Sequence, residues 1–174
     1  MSGERAITIR DFAEGDASRV RELFIATNRL LSPPRLRDAF EAYIEHALAA
    51  EIDRIADYYR EHDGGFWVAV KGERLVGTFG LERAAVDAME LRRMYVDAAC
   101  RRTGIGRLML ELAEAECRRR GIARLVLSTA AIQEAAVALY RSAGYRLVRE
   151  DTAEMASNKT VGSGLRRFHF EKIF

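Results

Sequence analysis

The sequence predicts a mixed α/β domain of the α+β kind, with a mostly antiparallel central sheet of about six to seven strands and about four flanking helices. Three observations carry this. Phe66–Val70 (FWVAV) and Leu75–Leu81 (LVGTFGL) are β-favouring runs joined by Lys71-Gly72-Glu73-Arg74, a hairpin signal. Met89–Gly121 reads as a strand, a glycine- and arginine-rich turn and an amphipathic helix. Arg124–Thr129 (RLVLST) then follows as a short, nearly continuous apolar strand, as expected for one covered on both faces and parallel to its neighbour. At 174 residues, with no repeat, low-complexity tract or linker, one domain over 1–174 accounts for the chain.

The elements follow in order. Ala6–Phe12 alternates Ile7 and Ile9 with Thr8 and Arg10, a first strand. Asp16 stands as N-cap for a helix carrying Val20, Leu23, Phe24 and Ile25, which Ser32-Pro33-Pro34 ends. From Leu36 to Tyr59 a helical period runs without Gly or Pro, long enough for one helix or two. After the hairpin and the central stretch, Gln133–Ser142 reads as a helix stopping before Gly144. Tyr145–Val148 and Arg166–Ile173 are the last strands, and polar Glu150–Gly164 reads as a mobile loop.

The central stretch is the informative one. Along Met89–Val96 the apolar positions change step, three from Leu91 to Met94 and two from Met94 to Val96, which places a β-bulge at Arg92–Arg93. A bulge splays the strand and frees backbone groups to pair outside the sheet. In the turn Arg101-Arg102-Thr103-Gly104-Ile105-Gly106-Arg107, the two glycines lack the Cβ atoms that would block a ligand. The helix beyond carries Ile105, Leu108, Met109, Leu112 and Ala115 on one stripe, so its unpaired first-turn N–H groups lie beside three arginines. Amides, dipole and guanidinium groups together suit a phosphate or pyrophosphate.

Bulk properties exclude several classes. Hydrophobic residues at 49% and charged ones at 31% describe an ordinary globular protein, and a net charge of +2 does not suit a nucleic-acid binder. No stretch is apolar enough to span a membrane, and MSGERAITIR carries no apolar leader. Cys100 and Cys117 make no disulfide framework, which favours a reduced, cytoplasmic setting; Cys100 reads as a passive thiol. His46, His62 and His169 are scattered, so no metal site is expected.

Arg101-x-x-Gly104-x-Gly106 after such a strand resembles the acyl-CoA pyrophosphate signature of the GNAT superfamily of N-acetyltransferases. The P-loop and dinucleotide glycine patterns are absent. Leu139–Tyr145 (LYRSAGY) is similar to the GNAT helix–turn whose tyrosine serves as general acid, and the motifs together cover residues 66–148.

The resemblance implies a GNAT fold splayed at the acyl-CoA site, and transfer of acetyl from acetyl-CoA straight to a primary amine, without an acyl-enzyme or metal. Met94, Tyr95 and Val96 would hold the pantetheine by backbone pairing and offer an N–H to the oxyanion. The amides of Arg102, Thr103, Gly104, Ile105, Gly106 and Arg107 would hold the pyrophosphate, with Arg101 a further cofactor contact. Thr129, Gln133 (where the family commonly has asparagine), Ala136 and Tyr140 complete the cofactor contacts. Tyr140 is the expected acid. Glu90 is the candidate base, eleven positions before Arg101 as in the superfamily's histone acetyltransferases. Water and Glu82 are the alternatives, and Glu90 could instead pair with Arg92. A homodimer would suit the family. The acceptor, small molecule or protein, stays open; its pocket is expected from Thr27–Tyr59 and Glu150–Gly164. A non-catalytic acyl-CoA-binding regulatory module is the alternative, against which Tyr140 argues.

Overall fold

The computed structural model describes residues 6–174. Seven strands form one sheet in the order β1-β2-β3-β4-β5-β7-β6, with β1 at Ile7–Asp11, β2 at Gly65–Lys71, β3 at Arg74–Ala85, β4 at Ala88–Val96, β5 at Arg124–Ala130, β6 at Arg146–Ala153 and β7 at Leu165–Ile173. Only β4 and β5 run parallel. Five α-helices flank the sheet: α1 at Ala17–Leu31, α2 at Arg37–Ala50, α3 at Ile55–Glu61, α4 at Ile105–Arg119 and α5 at Glu134–Ser142.

Period-2 side chains sort the two layers. On β2, Phe66 and Val68 pack with Val20 and Tyr59 beneath α1 and α3, while Trp67 and Ala69 join the cluster under α4. The α4 side is the largest core, where Met109, Leu110, Ala113 and Cys117 are fully buried with Phe79, Met89 and Leu125. Phe24, Phe40, Tyr43 and Ile44 fill the space between α1, α2 and the far ends of β5 and β7.

Four local expectations need correction. The buried face of α4 is Ile105, Met109, Leu110, Ala113 and Cys117; Leu108 and Leu112 are about 40% exposed, so the apolar stripe is rotated from the one the sequence suggests. Asp16 does not cap α1 with its side chain: its carboxylate accepts from both Arg10 nitrogens (2.7 and 2.9 Å) and from the Ala13 N–H (2.9 Å). The segment read as a loop from Glu150 is strand as far as Ala153, because charged Glu150 and Asp151 pair with Phe168 and Arg167 of β7 on the sheet's edge. On β5, burial alternates, with Leu125, Leu127 and Thr129 inward, so that strand is not covered equally on both faces. The helical period from Leu36 to Tyr59 resolves into two helices, broken at Glu51 by a short 3-10 turn.

The feature that positions the site lies at the sheet's centre. β4 pairs with β5 only over Ala88–Glu90 against Arg124–Val126; beyond that the strands part. The divergence begins where β4 bulges. Its register against β3 shifts between Thr78–Tyr95 and Gly80–Arg92, and Arg93 takes a left-handed φ of +52°. Thr78 Oγ1 donates to the Arg93 carbonyl (2.9 Å) and holds the kink.

Candidate active site

A cleft opens between the separating strands, lined by Glu90 to Tyr95 of β4, Ser128 to Ala130 of β5, the start of α5, Asn28, Phe40 and Tyr43 from the first two helices, and Lys159 to Val161 of the connection before β7. Both segments from which an acceptor pocket was expected therefore reach it.

The turn that leads from β4 into α4 is made of backbone. No N–H from Arg101 to Arg107 finds an acceptor among the described residues; the first helical bond of α4 runs from Leu108 N to Gly104 O (3.0 Å). Seven consecutive donors thus stand free at a helix start, where the dipole adds positive potential. Gly104 is the N-cap with φ +85°, and Arg102 also sits at positive φ (+61°), which curls the turn so that its amides converge. The two glycines have different reasons. A Cβ on Gly104 would meet nothing within 4 Å, which leaves the space before the amides open. A Cβ on Gly106 would sit 3.2 Å from Leu139 Cδ2, so Gly106 serves the approach of α5 to α4 rather than of a ligand. Arg101 and Arg102 are exposed, as is Arg107, which donates to Ser142 Oγ (2.8 Å) and ties α4 to the end of α5.

Across the gap, Gln133 turns back onto β5. Its Oε1 accepts from the Ala130 N–H (3.1 Å) and from Thr129 Oγ1 (2.7 Å), and since the backbone amide can only donate, the side-chain oxygen must face it. Gln133 thereby locks the β5–α5 junction. Ala136 and Tyr140 lie on the cleft side of α5. Tyr140 is 6% exposed and packs on Tyr145 and Phe170, yet its hydroxyl is not engaged by any side chain among the described residues. Burial pushes its pKa well above the ordinary tyrosine value, so the phenol stays protonated.

The cleft beside the bulge is made of side chains. The bulge turns consecutive residues Arg92 and Arg93 onto one side, where both reach Glu51, a carboxylate with no exposed surface at the break between α2 and α3. Arg92 also reaches Glu82 (3.2 Å), which accepts from Tyr58 (2.7 Å); Tyr59 donates to Glu51 (2.8 Å); Arg93 reaches Tyr43 and the Asn158 carbonyl (2.8 Å). Burial alone would raise the Glu51 carboxyl, but Arg93 and Arg92 outweigh it and hold it below the carboxylate range. Glu82 behaves likewise, with Arg92 and the Tyr58 hydroxyl overcoming its burial.

Glu90 does not pair with Arg92. Lys159 takes it instead, and the same ammonium lies 3.1 Å from Glu82. Glu90 stays at the cleft edge with 15% of its side chain exposed, while Glu82 is enclosed by the buried cluster. Cys100 is half-buried beside the turn with no histidine bonded to it among the described residues. Cys117 is fully buried under α4, where burial pushes its thiol up to about 11. The whole Glu51–Arg92–Arg93–Asn158 cluster escapes sequence reasoning. Its one signal is a glutamate interrupting an apolar helical period.

The description "Acetyltransferase (GNAT) family" fits residues 28–145. Among curated relatives, N-acetylaspartate synthetase of Danio rerio is 34% identical over 141 residues, 78% of this chain and 48% of that protein. The Homo sapiens N-acetylaspartate synthetase is 37% identical over 116 residues, covering 63% of this chain and 37% of that protein. N-acetyltransferase 8 of Homo sapiens is 31% identical over 112 residues, covering 60% and 48%. The chain thus spans less than half the length of these relatives. In fold it is similar to the PaiA N-acetyltransferase from Thermoplasma acidophilum in complex with coenzyme A (TM-score 0.75, 18% identity, 97% of this chain and 99% of that one). An acetyltransferase from Streptococcus agalactiae is equally close in shape (TM-score 0.75, 17% identity, 97% and 98%). No helix among the described residues is long and apolar enough to cross a membrane. With its family model spanning the central strand, the glycine turn and the helices α4 and α5, this chain belongs to the GNAT acetyltransferase family.

Proposed function

We propose that the protein is an acetyl-CoA-dependent N-acetyltransferase that acts on a primary amine by direct attack. The observation that carries this is the conjunction of seven unpaired amides, Arg101–Arg107, with a splayed β4–β5 gap lined by the unengaged Tyr140. Acetyl-CoA supplies an acetyl group activated as a thioester.

The residues have distinct work. The amide array of the turn holds the pyrophosphate, with Arg101, Arg102 and Arg107 adding charge at its rim. Backbone groups of Met94, Tyr95 and Val96, freed from β5, hold the extended pantetheine arm, and an N–H there donates to the developing oxyanion. Thr129, Gln133 and Ala136 shape the wall opposite. Tyr140, kept protonated by its burial, gives its proton to the departing sulfur as the C–S bond breaks and the C–N bond forms. Glu90, or water beside it, accepts the proton that the attacking amine must lose; Glu82, enclosed by Arg92, Tyr58 and Lys159, is less suited. The acceptor side of the cleft is lined by Asn28, Phe40 and Tyr43 from α1 and α2 and by Lys159.

Thiol release from acetyl-CoA, followed against a panel of primary amines, tests the reading. Release that depends on an amine supports it. Tight acetyl-CoA binding with no release for any amine or peptide would instead support a regulatory acyl-CoA-binding module.

A further inference from the structure

Four cationic side chains gather around the acceptor end of the cleft: Arg92, Arg93, Lys159 and Arg167. Three carboxylates face them. Glu51 and Glu82 take Arg92, Glu51 takes Arg93, and Glu82 and Glu90 take Lys159. Arg167 is left over. It stands on β7 opposite Ala130 of β5, is 9% exposed, and forms no ion pair among the described residues. Its one side-chain partner there is the Ser128 hydroxyl, 2.6 Å from Nη2. Asp151 opposes it across the β6–β7 pair but gives its carboxylate to His169 (3.0 Å) and Arg149 (3.3 Å). Burial pulls the Arg167 guanidinium below its ordinary value, the reverse of Arg92, which Glu51 raises against burial, and of Arg93, which Tyr43 and Glu51 raise.

Asp151 and Glu90 act on Arg167 only at a distance; a buried guanidinium with no carboxylate in contact is costly, and its planar fork matches a carboxylate in two-point contact. We infer that Arg167 is a specificity-determining residue that binds a carboxylate of the acceptor, so that the substrates are small amines carrying a carboxylate, amino acids being the simplest. The inference rests on the acetyltransferase reading above. Arg167 and Tyr140 line the same cleft, so an acceptor anchored by its carboxylate at Arg167 lies in the cleft that Tyr140 faces. The Ser128 hydroxyl fixes one nitrogen of the fork and leaves the rest of the guanidinium for the acceptor.

The test compares the α-amino acids with analogues in which each carboxylate is a primary carboxamide, using wild-type protein and saturating acetyl-CoA. Acids should exceed matched amides by about 100-fold in kcat/KM, the scale of a lost buried charge-assisted contact. Arg167→Gln should erase that preference mainly through KM, with acetyl-CoA affinity unchanged, and Arg167→Lys should restore part of it. Amides accepted as well as acids would overturn the inference while leaving the acetyltransferase reading intact. So would Arg167→Gln slowing acids and amides equally. Absence of acetyl-CoA binding would remove both. Because the acid–amide comparison uses wild-type protein, it decides the matter even if the variants do not fold.

Discussion

The turn into α4 and the bulge beside the cleft are built from different materials. The turn at Arg101–Arg107 is contiguous backbone, seven amides curled by Gly104 and Arg102. The cluster at Glu51, Arg92, Arg93 and Asn158 is side chains from residues up to 107 positions apart, drawn into one buried ionic network. A backbone site tolerates change in most side chains around it but not at the residue that sets its curvature. A side-chain site depends on each member, because removing one leaves its partners buried and uncompensated. The first arrangement leaves its donors open, and the second satisfies its charges within itself.

The largest effect should come at the tyrosine of α5 that lines the cleft. Tyr140→Phe removes only a hydroxyl, and should lower kcat by about 10²- to 10⁴-fold while acetyl-CoA affinity holds. Undiminished turnover would take Tyr140 out of the proton transfer. Because its phenol titrates well above the ordinary value of 10.0, the acid should not be lost below that pH, and any earlier alkaline decline would have another source.

In the side-chain cluster, Glu51→Gln strips the shared partner from Arg92 and Arg93. The expected cost is about 3–5 kcal/mol of stability, or roughly 6–20 °C in Tm for a chain of this size. An unshifted calorimetric transition would mean that the cluster does not hold the bulge. Gly104→Glu at the turn, by contrast, should cost only about 1–2 kcal/mol, the strain of one side chain at positive φ, since the new side chain projects into open space.

A smaller effect comes from acid. Glu51 and Glu82 have folded values below the ordinary 4.5. Stability from a depressed carboxyl is fully present above the unfolded value and is lost as pH falls through the folded one. Tm should therefore decline below about pH 4.5, and the decline should be shallower in Glu51→Gln. An equal decline in both proteins would place the acid sensitivity elsewhere.

The contrast also explains what is legible in the sequence. The turn is one stretch with a distinctive glycine spacing, and the bulge shows as a change of step between Leu91 and Val96, so both can be read from neighbouring residues alone. The hairpin and the β4–α4–β5 unit are legible for the same local reason. Glu51 and Asn158 are not, because nothing in either neighbourhood indicates a partner on β4. The Lys159 pairing of Glu90 is hidden equally, since it depends on where the connection after Ala153 crosses the cleft. The α4 stripe is misjudged because Leu108 and Leu112 look as apolar as Leu110, and only packing against β3 and β4 distinguishes them.

We propose that the backbone amides of Arg101–Arg107 hold acetyl-CoA. Calorimetric titration with acetyl-CoA, wild type beside Gly104→Glu, tests it most directly. At position 104 a side chain must adopt φ +85° and carries its charge in front of the amides. The account predicts one acetyl-CoA bound per chain and at least about 100-fold weaker binding in the variant, from like-charge repulsion together with the strained turn. Binding of equal strength in both proteins, or none in either, would contradict it.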